Sequence, residues 1–267
     1  MRRVFLTMIA LVLLLTGCAS PPTGSAAPSE QEPTLVETSP SQAAECTSPP
    51  QTLPSEETLP PHSPLYLEGL SVDAVILYFQ EICLDAEVIN GGDPSLLQKW
   101  TEPILYRVLG DPTQEDLDTV DSFVRWLMTV PGFPGIREAE ADGYADMDIL
   151  FCTQEEMVGM LGDWAWGCDG GVTFWYDMHQ IHSATICVRT DLDQELRSSV
   201  ILEEMYNGLG PVQDTQLRED SLIWAGYSQP QWLTQEDMLL LKLLYHPDLE
   251  PGMDAQQCAE AICKLYY

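Results

Sequence analysis

Residues 200–214, VILEEMYNGLGPVQD, constrain this chain more than any other stretch. Read as a helix of about 3.6 residues per turn, they put Glu203 and Asn207 on one face, with Glu204 beside them. Gly208 or Gly210 closes that helix by taking the left-handed conformation a C-cap wants. The chain then turns back through Gln213 and Asp214. Glu203 and Glu204, as neighbours, point about 100° apart, so the two do not both face one scissile bond.

The N-terminus has Arg2 and Arg3, an apolar run from Val4 to Leu15, and then Thr16-Gly17-Cys18. A charged start, about a dozen apolar residues and small residues before a cleavage point make an export signal. The run is shorter than the roughly 20 residues that span a bilayer. Leu15-Thr16-Gly17-Cys18 resembles the bacterial lipoprotein box, which implies a signal peptide over residues 1–17 and lipidation of Cys18. Residues 18–64 are rich in Pro, Ser, Thr and Glu, bury too little apolar surface to fold, and read as a disordered tether. At about 3.1 Å per residue such a tether reaches roughly 140 Å. Residues 65–267 then fit one domain. The expected place is the bacterial cell envelope, lipid-anchored and extracytoplasmic.

The formal net charge is -31, from 42 acidic against 11 basic side chains. A polyanion repels phosphate backbones, so no nucleic-acid partner is expected and a neutral or basic one is favoured. Cys46 falls in the tether, whereas Cys83, Cys152, Cys168, Cys187, Cys258 and Cys263 fall in the domain. Cysteines in an exported domain imply disulfides, with the pairing open; the other reading makes several of them free, buried and apolar in behaviour. Cys258 and Cys263, five apart on one helix, sit about 140° around its axis and reach for different partners.

Local patterns supply the elements. Val72, Val75, Ile76, Phe79, Ile82, Cys83 and Ala86 have amphipathic-helix spacing. Residues 103–110 and 145–152 read as strands, as do 172–176 and 184–189 on either side of a turn at 179–182. Thr113 with Asp116, Thr153 with Glu156 and Thr234 with Asp237 make capping boxes, and Asp254 with Gln257 begins a last helix. The helix after Thr113 has an expected core face of Leu117, Val120, Val124 and Leu127. The central helix starts at Asp191 or Asp193.

This order (helix, strand, helix, three strands, central helix, loop, helix) resembles the catalytic half of metzincin-like zinc proteases. Trp100 through Val108 resembles their first strand, and Ala145-Asp146-Met147-Asp148-Ile149-Leu150-Phe151 the Ala-Asp-Ile strand of matrixins. Ala184-Thr185-Ile186-Cys187-Val188 is similar to the strand before the zinc helix. Leu233-Thr234-Gln235-Glu236-Asp237 through Leu243-Leu244-Tyr245 resembles the terminal helix. Glu203-Glu204, Leu209-Gly210, Asp214, Leu244-Tyr245-His246-Pro247 and Pro251-Gly252-Met253 are similar to a bacterial family of unknown function numbered 2927, whose members are often predicted lipoproteins. The resemblance covers about Trp100 to Met253. It implies an α+β, zincin/metzincin-like domain: a mixed, mostly parallel sheet with an antiparallel edge strand, packed on helices, with a central active-site-like helix.

A zincin helix carries two His at i and i+4 with a Glu beside the first. In this chain those His positions are Glu203 and Asn207, Gln213 or Asp214 stands where the third ligand would, and the Glu is retained as Glu204. No Met lies between Met205 and Met238 to form a Met-turn; Ser221-Leu222-Ile223-Trp224 fills the interval. The resemblance therefore implies a degenerate motif and no zinc cofactor. Carboxylate and amide oxygens suit at most a weakly bound divalent cation such as calcium or magnesium. Alternatively, Glu203 and Asn207 hydrogen-bond the surrounding loop in a metal's place, or His179 and His182 make a relocated site with Glu203 or Glu204. Candidates for a binding cleft are Glu203, Asn207 and Gly210 with Trp164, Trp166 and Trp175, whose faces suit a glycan or peptide. The leading expectation is a surface lipoprotein that has lost zinc catalysis and binds a peptide, wall polymer or envelope protein, using an edge strand at 172–176. The alternatives are a peptidase-like hydrolase with Glu204 as general base and an atypical metal site, and a structural envelope lipoprotein.

Overall fold

Helix starts follow the caps, in a computed structural model that describes residues 65–67, 69–84, 96–140, 142–226 and 228–267. The expected signal peptide, Cys18, Cys46 and the tether lie outside the described residues. In chain order the elements are α1 (Val72–Leu84), β1 (Lys99–Trp100), β2 (Ile104–Gly110), α2 (Gln114–Leu127), β3 (Ile136–Glu138), β4 (Met147–Cys152), α3 (Gln154–Leu161), β5 (Gly170–Asp177), β6 (Gln180–Arg189), α4 (Gln194–Asn207), α5 (Gln235–Leu244) and α6 (Ala255–Tyr266). Thr113, Thr153, Thr234 and Asp254 each complete a capping box at the head of α2, α3, α5 and α6, worth about 1 kcal/mol apiece.

β2, β4 and β6 run parallel, with β3 parallel beside β2 and β1 parallel against the start of β6. β5 alone is antiparallel; it pairs with β6 and forms an edge. The domain is thus a mixed α/β fold with a mostly parallel sheet and six α-helices among the described residues. None of those helices is long and apolar enough to cross a membrane.

Period-two alternation decides which way the sheet faces. Met147, Ile149 and Phe151 of β4, Val172 and Phe174 of β5, and Ile186 and Val188 of β6 belong to the main core, together with residues of α1, α2, α4, α5 and α6. Cys152 and Cys187 belong instead to a smaller cluster with Met157, Leu161, Ala165 and Cys168. α4 is buried nearly all round, polar residues included, as expected of a helix at the centre of a domain.

Three expectations change. The second hairpin strand begins at Gln180 rather than 184, so the turn shrinks to Met178 and His179, both at positive φ (45° and 65°), and His182 sits on β6, exposed. Along α2, Phe123 and Asp116 are fully buried, whereas Leu117 and Val124 are only half-buried. Among the described residues the expected disulfides are not seen: Cys83, Cys152, Cys187 and Cys258 are free, buried thiols, and Cys168 donates its thiol to the Trp164 carbonyl at 3.7 Å. Cys263 is half-buried on α6. The four free thiols fill apolar space as small hydrophobic side chains do.

Candidate functional site

α4 reaches its place through contacts at both ends. Asp193, not Asp191, is the N-cap and accepts from Leu196 N at 3.1 Å; Asp191 pairs with Arg189 at 2.7 Å. One turn on, Arg197 donates Nε to buried Asp116 at 2.9 Å, tying α4 to α2. At the far end, Trp100 Nε1 donates to the Gly208 carbonyl at 2.9 Å and Tyr245 hydroxyl to that of Leu209 at 2.7 Å. These side chains satisfy carbonyls that a helix end leaves open. Gly208 keeps a right-handed backbone, and it is Gly210, at φ 126°, that turns the chain.

Gly170 sets how closely the edge strand approaches α4. A β-carbon there would stand 2.4 Å from Val200 Cγ1 and 2.9 Å from Glu204 Cγ, so only glycine lets β5 start against Glu204. The loop after Gly210 is held by α1: Val212 N donates to the Ile82 carbonyl at 2.8 Å, and Thr215 Oγ1 and Gln216 N donate to the Glu81 carboxylate at 2.6 and 2.9 Å. Asp214 lies between these anchors. Beyond it, Ser221-Leu222-Ile223 forms a buried turn fastened to Asp237, which accepts from Ser221 Oγ at 2.7 Å and Leu222 N at 3.0 Å. The interval without a methionine is therefore ordered by a carboxylate.

The resulting site is acidic and incompletely satisfied. Glu204 and Asn207 are each 1% exposed. Glu204 Oε2 and both side-chain atoms of Asn207 have no hydrogen-bond partner among the described residues. Asn207 thus does not bond the surrounding loop in a metal's place. Glu203, Asp214 and Asp169 are half-buried. Burial, then the charges of Asp214 and Asp169, push the Glu203 carboxyl well up; burial, then Glu203 and Asp214, do the same to Glu204. The Glu203 charge therefore acts on its neighbour Glu204 through a shared low-dielectric surrounding. Asp169 is a member no helical spacing announced; the approach of β5 brings it in.

Other expected residues lie elsewhere or differ in character. Trp164 lies so close to the edge strand that a β-carbon on Gly171 would stand 2.9 Å from its Cη2. Trp166 is 65% exposed and Trp175 half-buried, so these aromatics do not share one environment. His179 stacks on Tyr176 at a centroid distance of 6.1 Å, and no histidine is among the groups that shift Glu203 or Glu204. Gln213 is half-buried beside Asp214. Among the described residues no three His, Cys, Asp or Glu side chains are placed to hold one metal ion.

Leaving a buried polar atom unpaired costs about 1–3 kcal/mol. Replacing Asn207 with leucine, of similar volume, is therefore expected to stabilise the ligand-free domain by roughly 1–2 kcal/mol. Urea unfolding at neutral pH measures it; a destabilisation of the same size would mean that the amide is satisfied.

The family described as Protein of unknown function (DUF2927) matches residues 73–264. No curated protein matches the chain.

Proposed function

Because this chain belongs to the DUF2927 family of proteins of unknown function, a description that names no activity, we propose that its domain is a zincin-like fold turned to binding. The ligand is an extended peptide segment, and the protein is an envelope lipoprotein carried on a lipidated Cys18. The zincin-like reading is supported by a parallel sheet with one antiparallel edge strand, next to the strand that leads into a buried central helix. The binding reading is carried by one observation: the unpartnered Glu204 Oε2 and Asn207 amide stand on α4 where the edge strand begins. A peptide added to the free side of β5 gains main-chain hydrogen bonds there, and its side chains find polar groups in want of partners. Among the described residues no strand occupies that side.

The hydrolase alternative asks more of Glu204. A general base must be ionised at the working pH, and burial beside two other carboxyls opposes that. Hydrogen exchange on the full chain, with and without a panel of extended peptides, tests the proposal. Peptides are expected to slow exchange at β5 amides, with the peptides recovered uncut. Stoichiometric zinc together with peptide cleavage that disappears in Glu204→Gln would overturn it in favour of the hydrolase.

A further inference from the structure

Glu204 and Asn207 are three residues apart on α4 and therefore share a face. Asn207 offers an acceptor and a donor, both buried and both unused, and Glu204 offers a further unused oxygen. Half-buried Glu203, Asp214 and Asp169 lie close enough for their charges to act on one another or on Glu204. The charges acting on Glu203 and Glu204 are all acidic. Arg189, at the end of β6, already serves Asp169 at 3.3 Å and Asp191 at 2.7 Å. A buried Glu204 oxygen beside an Asn207 amide, neither with a hydrogen-bond partner among the described residues, describes a site that lacks one half of its interaction.

We propose that this face of α4 is a pocket for a basic residue, arginine or lysine, of the bound peptide, with Glu204 and Asn207 as its floor and Glu203 and Asp214 at its mouth. The inference rests on the peptide-binding reading and deepens it. A guanidinium or ammonium group supplies donors to Glu204 and to Asn207 Oδ1. The same residue's backbone carbonyl supplies the acceptor that Asn207 Nδ2 needs, which a bare metal ion does not. An arriving cation also reverses the repulsion among the carboxyls, so the charge that is costly in the empty site becomes favourable in the filled one. The chain's net charge of -31 draws basic segments towards it over longer range.

The test uses the full-length protein and blocked alanine-based pentapeptides that differ only at the central residue: arginine, lysine, glutamine or glutamate. Fluorescence anisotropy is expected to rank arginine and lysine on the order of 10- to 100-fold tighter than glutamine, the range of a charge-assisted hydrogen bond, with glutamate weakest. Glu204→Gln is expected to reduce the arginine-to-glutamine ratio to within about 3-fold, because the charge-dependent part of that ratio is removed. Glu203→Gln, at the half-buried mouth, is a second variant should the first fail to fold, and is expected to lower the ratio in the same direction. Equal binding of all four peptides overturns the basic pocket and leaves peptide binding standing. No binding of any peptide overturns both. Calcium or magnesium chloride alone raising the unfolding midpoint of the native chain, but not of Glu204→Gln, and displacing the arginine peptide, would assign the site to a metal ion instead.

Discussion

Replacing Asp116 with alanine is expected to destabilise the domain by about 3–5 kcal/mol, the cost of leaving a buried charge without its partner. The carboxylate is fully buried. Its Oδ1 accepts from Gln194 Nε2 at 2.7 Å and Arg197 Nε at 2.9 Å, and its Oδ2 from Thr113 N at 2.7 Å. Without it, Arg197 keeps the Thr190 carbonyl at 2.9 Å and Gln194 Oε1 at 2.6 Å but has no negative charge facing it, and α4 loses its tie to α2. Against a total stability of roughly 5–15 kcal/mol the loss is severe. Burial works against ionisation of Asp116, yet the bonds from Gln194, Thr113 and Arg197 overcome it and hold the carboxyl below its usual range. A depressed folded-state pKa contributes stability that is present above the ordinary aspartate value of about 3.9 and lost as pH falls through the folded one. Urea unfolding should therefore show the gap between native and variant chains narrowing in acid. A gap that stays constant from neutral pH into that range would mean the ion pair is not its source.

Gly210→Ala is expected to cost about 2–5 kcal/mol, combining backbone strain with a collision. At φ 126° an L-residue is strained, and its β-carbon would stand 2.5 Å from the Gln98 carbonyl oxygen, a backbone atom that cannot swing aside. Gly208→Ala is the control. Its φ is -62°, and the nearest contact is the tip of Ile186 at 3.2 Å, so a loss of about 1 kcal/mol or less follows. The two also differ in function. Gly210 turns the chain towards Asp214, so the Gly210 variant should bind the arginine peptide more weakly even where it remains folded, as anisotropy at low temperature would show. Equal affinity in the folded fraction of both variants would separate the turn from the pocket.

What was legible in the sequence was local. Thr113, Thr153, Thr234 and Asp254 announced their helices because a capping box is a contact three residues long. β4 announced itself by alternation, and Glu204 and Asn207 by the resemblance of their stretch to a zinc-protease helix. β1 and β3 did not, since two or three residues become a strand only when a distant partner lies alongside. His182 and Ser183 disguised the first half of β6, being polar residues on a strand paired to an edge. Asp169 is invisible from the central helix because only the close packing of Gly170 brings it near. The thiols looked like a disulfide framework by compartment, but burial put five of them in apolar clusters. Glu81 was hidden most thoroughly: its role depends on a loop more than a hundred residues away, with Thr215 Oγ1 at 2.6 Å.

That last contact has a consequence for the order in which the chain acquires its structure. The first helix is made early in synthesis, yet Glu81 waits for Thr215 and Gln216, and Tyr78 waits for Ser221 and Asp237, a separation of 159 residues. Contacts so distant are slow to form, since loop closure precedes any reward. Until residues near 237 have left the ribosome, Tyr78 of α1 lacks the Asp237 carboxylate it donates to. The nascent domain therefore stays open to a chaperone for most of its synthesis, and closes from its C-terminal third backwards onto its first helix.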